Sequence, residues 1–310
     1  MQMYHILRVP FADGITHHTL NHTRKDILGR MKIAFLGTGR MGTELALHLL
    51  DEHELVVWNR TKEKTKTLAD KGAAVADSPQ EAVDGADVVI TSLFGPDTVR
   101  EVVLDANLIP EGTPWLDATT ISPQDADSFA EKVPTYVHTP VVGTLTPARN
   151  QKLGVYVGTK DAQLRELAAK IVHPWGAANP ERIKQVDTAG KAAVGKLLAN
   201  LALAVTAQGF REALKLGEAT GTSAAEVVDM LNSTGLEFIK NMKSPFVLGE
   251  RDTEPGDFTV NAIAKDVRLM LDTAGELPAA HTALDSLEAQ QDKDRGEHDF
   301  SAILVYRNED

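Results

Sequence analysis

Lys196 and Asn200 stand four positions apart in "GKAAVGKLLANLALA", residues 190–204, a stretch that is otherwise almost wholly apolar. On a helix of about 3.6 residues per turn this spacing puts both side chains on one face, a turn apart. Two readings fit the pair. An ammonium held in an apolar helix face can serve as a proton donor, because burial disfavours its charged form and lowers its pKa toward the range where protons are exchanged. Alternatively, Lys196 lays its stem past Leu197 and Leu201 and keeps its charge in water.

A second chemical feature lies near the start of the regular pattern, in "KIAFLGTGRMGTELALHLL". Gly37, Gly39 and Gly42 form a GxGxxG turn with Thr38, Arg40 and Met41 between them, following a strand and opening a helix. Such a turn lets the backbone approach a pyrophosphate at a helix N-terminus, so a dinucleotide is the expected ligand. An NAD site carries Asp or Glu about 20 residues further on to hold the ribose 2′-hydroxyl. Here "VVWNRTKEK" supplies uncharged Asn59, then Arg60, Thr61 and Lys64, a guanidinium, a hydroxyl and an ammonium suited to a 2′-phosphate. NADP is therefore the expected cofactor; the rival reading is a solvated helix start with incidental basic residues. Leu93 and Phe94, just after "DVVITS", join the expected cofactor-binding set.

The elements that must hold these groups are legible as alternating β-rich and helical runs from Met31 onward, the pattern of a parallel sheet covered by helices. The strand candidates are "KIAFLG", "LVVWN", "DVVITS", "PWLDAT", "TYVHTPVV" and "GVYVG", with helices opening near Ser, Pro or Thr between them. Near Asp187 the strands stop and the remainder reads as helix. The expected fold is an α/β Rossmann domain with a parallel sheet over residues 31–188, then an all-α C-terminal domain over 189–310 for substrate binding and oligomerisation. Residues 1–30 read as a poorly ordered extension, with His17, His18 and His22 as part of a polar tail and not a metal site.

Composition narrows the function classes. A net charge of -12 over 310 residues argues against general nucleic-acid binding. The absence of cysteine excludes disulfides, thiolate nucleophiles and Cys-ligated zinc, and it fits a reducing cytoplasm. No metal is expected. No apolar run approaches the roughly 18 residues of a membrane span, so a soluble protein with no membrane partner is expected. The long apolar helix from Gly190 has too little polar surface for a monomer's exterior, which predicts a homodimer or homotetramer.

Three further stretches, "DATTISP" (117–123), "TPVVGTLTPARNQKLG" (139–154) and "FTVNAIAKDVRLML" (258–271), complete a pattern with GTGRMG and the Lys196/Asn200 pair. Together they resemble the β-hydroxyacid dehydrogenase family, which includes 3-hydroxyisobutyrate dehydrogenase and the glyoxylate/succinic semialdehyde reductases, from Met31 to near Phe300. The resemblance implies NADPH-dependent reduction of a small aldehyde or keto acid to the hydroxy acid, or the reverse. It makes Lys196 the proton donor to the carbonyl oxygen, with Asn200 as its polar partner. It places Thr120 beside the nicotinamide ribose and Thr119 in the substrate-binding set. Lys265 reaches back to the cofactor, and Phe258 and Asp266 lie near the substrate. "WNRT" is more similar to the NADP-dependent glyoxylate/succinic semialdehyde reductases than to NAD-dependent members.

The departures concern the substrate. The family's Pro-Val-Ser-Gly-Gly loop reads Pro140, Val141, Val142, Gly143, Thr144, so a serine hydroxyl is lost at Val142 while backbone N–H groups can still bind a carboxylate. Ala192 stands where glycine is common, and His138 where the family has an acid. Imine reductases share the glycine turn and "WNRT" but typically lack the lysine. A non-catalytic NADP-binding protein on the same fold is the rival from another class.

Overall fold

The computed structural model describes residues 29–305, so the extension and its His17, His18 and His22 lie outside the described residues. Six strands run parallel in the order β3-β2-β1-β4-β5-β6. They are β1 (Lys32–Leu36), β2 (Glu54–Trp58), β3 (Ala74–Val75), β4 (Val88–Thr91), β5 (Trp115–Asp117) and β6 (Tyr136–His138). The central strands are apolar on both faces because helices cover both: Ile33, Phe35, Val88 and Ile90 feed one core, Ala34, Leu36, Val89 and Trp115 the other. The covering helices are α1 (Arg40–Leu47), α2 (Lys66–Ala69), α3 (Pro79–Val83), α4 (Pro96–Val99) and α5 (Pro123–Lys132). Ser78 and Ser122 start α3 and α5 by accepting from the backbone N–H of Glu81 and Asp125, each ahead of a first-turn proline. From β1 the chain winds toward β3, and from β4 it winds the other way. The connections diverge at the carboxyl ends of β1 and β4, where such sheets open a ligand crevice.

The sheet is not parallel throughout. The run "TYVHTPVV" breaks at Thr139 and Pro140 into β6 and β7 (Val141–Val142), because proline has no N–H to continue the ladder. The next strand, β8 (Gly154–Gly158), lies antiparallel to both, and β9 (Ile183–Val186), which no strand pattern had flagged, runs parallel to β8. Two helices, α6 (Leu145–Arg149) and α7 (Ala162–Val172), complete this edge.

Strands end at Val186, and the helical part opens with α8 (Ala189–Ala219), where Thr188 accepts from the backbone N–H of Lys191. It continues through α9 (Ala224–Met230), α10 (Glu237–Val247), α11 (Val260–Ala274) and α12 (Pro278–Gln291) around Phe210, Val260, Ile263, Leu287 and Phe300. The long α8 packs against β8 and α5 at its start and against α11 and α12 further on. Its approach to the sheet is so close that a Cβ at Gly195 would run into the Tyr156 ring. Here the sequence reading needs correcting: averaged over 18 residues, with mean hydropathy 1.3, α8 is long and apolar enough to cross a membrane. Lys196 and Asn200 interrupt its apolar run without outweighing it, and 44% of that window is buried inside the fold.

Candidate active site

The glycine turn is closed on one side and open on the other. Gly37 has φ 99°, which disfavours any side chain, and a Cβ there would collide with the Ser92 carbonyl; one at Gly42 would collide with the Gly37 carbonyl. At Gly39 no atom lies within 4 Å of a Cβ position, so this part of the turn faces open space suited to a pyrophosphate. Asn59, at the end of β2, accepts from the Thr38 backbone N–H at 3.0 Å and donates to the Thr61 carbonyl at 2.9 Å. Its amide thus braces the turn. Thr38 itself points inward, and its hydroxyl is buried with no hydrogen-bond partner among the described residues. Arg40 donates to the Gly256 carbonyl and ties the turn to the loop carrying Phe258.

A cleft of about 980 Å³ runs from this turn to Lys196. Asn59, Arg60, Thr61 and Lys64 line it, as do Leu93, Phe94 and Thr120, Val142 to Thr144, and Phe258, Lys265 and Asp266. Lys196 and Asn200 both reach it. Lys196 is only 8% exposed, so its charge is not carried out into water. Its ammonium has no hydrogen bond among the described residues; burial holds its pKa below the usual lysine value, Asp266 opposes that shift and Lys265 adds to it. Asn200 is not its partner: its amide donates to Asp266 Oδ2 at 2.6 Å, while Asp266 Oδ1 pairs with Lys265 Nζ at 2.6 Å. Lys265 Nζ also donates to the Thr120 carbonyl at 3.1 Å and stands 5.8 Å from the Phe94 ring centroid. Asp266 therefore gathers the neighbours and leaves the Lys196 ammonium open to the cleft.

Thr119 departs from its expected role as well. It is buried outside the cleft, accepting from the Leu93 backbone N–H at 3.0 Å and donating its own N–H to Asp117 Oδ1 at 3.0 Å. Asp117 also accepts from the hydroxyls of Thr91 at 2.7 Å and Tyr136 at 3.1 Å, and Tyr136 meets His138 Nδ1 at 3.1 Å. This buried network fixes the loops that present Leu93 and Thr120. Burial pushes the Asp117 carboxyl up to about 6 from 3.8, held back by bonds from Thr119, Thr91 and Tyr136. Burial likewise pushes His138 down to about 3 from 6.5. A raised carboxyl contributes stability that is complete below 3.8 and is lost as pH rises through about 6. The histidine works in the opposite sense, contributing above 6.5 and losing that as pH falls. Asp117→Asn mimics the protonated acid and isolates the first effect. Thermal unfolding should find wild type losing about 2–3 kcal/mol relative to Asp117→Asn between pH 4 and pH 7, since each pKa unit is about 1.4 kcal/mol. A constant difference across that range refutes the shift.

The sequence reading missed part of the cleft wall. Phe238, Ile239 and Met242 of α10 line it, and "GLEFIKNM" offers only a short helical apolar stripe to signal this. Arg182 also lines it, with no local motif at all. No three His, Asp or Glu side chains among the described residues converge as metal ligands would.

Comparison with known proteins agrees with this architecture. The NAD-binding domain of 6-phosphogluconate dehydrogenase matches residues 32–186, and the NAD-binding segment of NADP-dependent 3-hydroxyisobutyrate dehydrogenase matches residues 190–306. A probable 3-hydroxyisobutyrate dehydrogenase-like protein of Arabidopsis thaliana is 31% identical over 254 residues, covering 77% of this chain and 73% of that one. Glyoxylate/succinic semialdehyde reductase 1 of Arabidopsis thaliana is 27% identical, covering 88% of this chain and 97% of its own. The solved structure of Mycobacterium tuberculosis 3-hydroxyisobutyrate dehydrogenase with L-serine superposes with TM-score 0.75 at 28% identity, over 89% of this chain and 98% of that chain. With the glycine turn, the Lys196 helix and both halves of the chain matched in one order, this protein belongs to the β-hydroxyacid dehydrogenase family of NAD(P)-binding oxidoreductases.

Proposed function

We propose that this chain is an NADPH-dependent reductase of small aldehydes or keto acids, with Lys196 as the general acid. The observation that carries the reading is Lys196 itself, buried and without a hydrogen bond among the described residues, in the same cleft as the glycine turn. The 2′-phosphate assignment rests on Arg60, Thr61 and Lys64 at the far end of that cleft, with Asn59 where an NAD site has an acid. Bound NADPH would supply the hydride to the carbonyl carbon. The chain's own part is to hold the carbonyl oxygen at Lys196 Nζ, to stabilise the developing alkoxide by charge and to deliver a proton. A lowered lysine pKa eases that delivery. The Arabidopsis relative is named for glyoxylate and succinic semialdehyde, and the mycobacterial enzyme's structure contains L-serine, a hydroxy acid; both fit a small acid as substrate here.

The test is NADPH oxidation with glyoxylate, succinic semialdehyde, methylmalonate semialdehyde and a cyclic imine. At least one aldehyde acid should be turned over and the imine should not. Turnover of the imine alone would move the assignment to imine reduction. No turnover of any would leave a binding protein.

We also infer a homodimer or homotetramer. Val194, Leu198 and Leu216 lie exposed on α8, and Phe238 at the cleft is 72% exposed, apolar surface that a second subunit would cover. Sedimentation at micromolar concentration should give at least twice the monomer mass; a monomer ends the proposal.

A further inference from the structure

Arg182 is a cationic group in the cleft that the mechanism above does not use. It closes the short turn Pro180–Arg182 just before β9, and its backbone N–H bonds to the Asn179 carbonyl at 2.9 Å. Its side chain is held too: Nη1 donates to the Lys152 carbonyl at 3.0 Å. The guanidinium lies over Gly154, where a Cβ would stand 3.2 Å from Nη2 and 3.4 Å from the Cβ of Val142. Val142 and Gly154 are register partners in β7 and β8, so Arg182 is set beside the cleft-lining residue Val142. A side chain at 154 would press the guanidinium aside by a few tenths of an ångström. No carboxylate among the described residues pairs with Arg182, so most of its N–H donors are available to a ligand.

We propose that Arg182 is a specificity-determining anchor for a carboxylate at the far end of the substrate. The inference rests on the reductase reading above. Arg182 offers a planar fork that matches a carboxylate in two hydrogen bonds. The two groups are set apart along β8: Gly195, beside Lys196, packs on the Tyr156 ring, whereas Arg182 lies over Gly154, two residues earlier on the same face and roughly 7 Å away along the strand. A substrate with its carbonyl at Lys196 and its carboxylate at Arg182 must therefore separate the two by a carbon chain. This selects ω-semialdehyde acids and leaves 2-oxo acids, whose carboxylate adjoins the carbonyl, outside the reach of Arg182. Val142, with no hydroxyl to offer, supplies the apolar wall along that chain.

The test compares succinic semialdehyde, its neutral analogue butanal, and glyoxylate in wild type, Arg182→Met and Gly154→Ala. Arg182→Met should raise the KM for succinic semialdehyde about tenfold, a charged hydrogen bond discounted for solvent exposure, with kcat within about twofold. The KM values for butanal, glyoxylate and NADPH should stay as in wild type. Gly154→Ala makes the guanidinium give by a few tenths of an ångström and should raise the same KM in the same direction by less than Arg182→Met does, which keeps the test open if one variant folds poorly. Binding of 4-hydroxybutyrate to the NADP-loaded protein, by calorimetry, is the second readout. It should weaken about tenfold in Arg182→Met while butanol binding is unchanged. Equal discrimination between succinic semialdehyde and butanal in wild type and Arg182→Met, or unchanged 4-hydroxybutyrate binding, overturns the anchor. Absence of turnover in wild type strikes the reductase reading alone, since the binding measurement still decides the role of Arg182.

Discussion

Lys196→Met should lower kcat by at least two orders of magnitude while leaving the fold intact and NADPH affinity close to wild type. The expectation follows from what Lys196 touches. Its ammonium has no hydrogen-bond partner among the described residues, and Asp266 is already held by Asn200 and Lys265, so removing the charge strands no other group. Methionine keeps the unbranched stem and most of the volume. A buried unpaired charge costs stability, so its loss should leave Tm unchanged or raise it. Catalysis loses both the proton and the charge facing the alkoxide, and general acid catalysis alone contributes about 10² to 10⁴-fold. Lys196→Arg should also be poor, because a guanidinium is larger and does not release its proton at working pH. The decisive pattern is a collapse of kcat with Tm held. Turnover near wild type in a folded Lys196→Met protein would remove the general acid assignment.

How much of this site the sequence exposes depends on the range of the interactions that build it. The glycine turn and α8 were legible because their signals are local: a strand running into GxGxxG, and a lysine a turn from an asparagine on an apolar helix. For Thr119 the signal is local as well. Past β5 the chain is extended, so side chains alternate, and Ala118 and Thr120 face the cleft while Asp117 and Thr119 face the interior. The Asp117, Tyr136 and His138 network is different in kind. It exists because β5 and β6 pair in parallel with Asp117 opposite His138, and no spacing in the sequence states that register. Asn200 likewise reaches across 66 positions to Asp266, a partner that its one-turn spacing from Lys196 does not signal. Arg182 sits in the cleft only because β9 joins the sheet beside β8, and β9 carries Lys184 and Gln185 at its centre in place of an apolar run.

Arg60→Ala should raise the KM for NADPH about tenfold to a hundredfold and leave NADH use nearly unchanged. Only the 2′-phosphate separates the two cofactors, and a charge-assisted hydrogen bond to it contributes roughly 1.5 to 3 kcal/mol. Arg60 is free to make that bond. Its one ion pair among the described residues, with Glu101 at 3.8 Å, joins two side chains that are each 68% exposed, a geometry that holds a guanidinium weakly. Removing Arg60 also strips Glu101, 3.8 Å away, of its counter-charge, and an unpaired carboxylate there would repel a nearby phosphate. Both effects act on NADPH and neither on NADH, so the ratio of their kcat/KM values is the quantity to follow. The loss should also shrink as ionic strength rises, since an exposed charge contact is screened within about 10 Å at 0.1 M salt. Thr61 and Lys64 remain beside the site, so preference for NADPH should narrow without inverting fully. A wild-type preference for NADH, or equal losses with both cofactors in Arg60→Ala, would show that this end of the cleft does not read the 2′-phosphate.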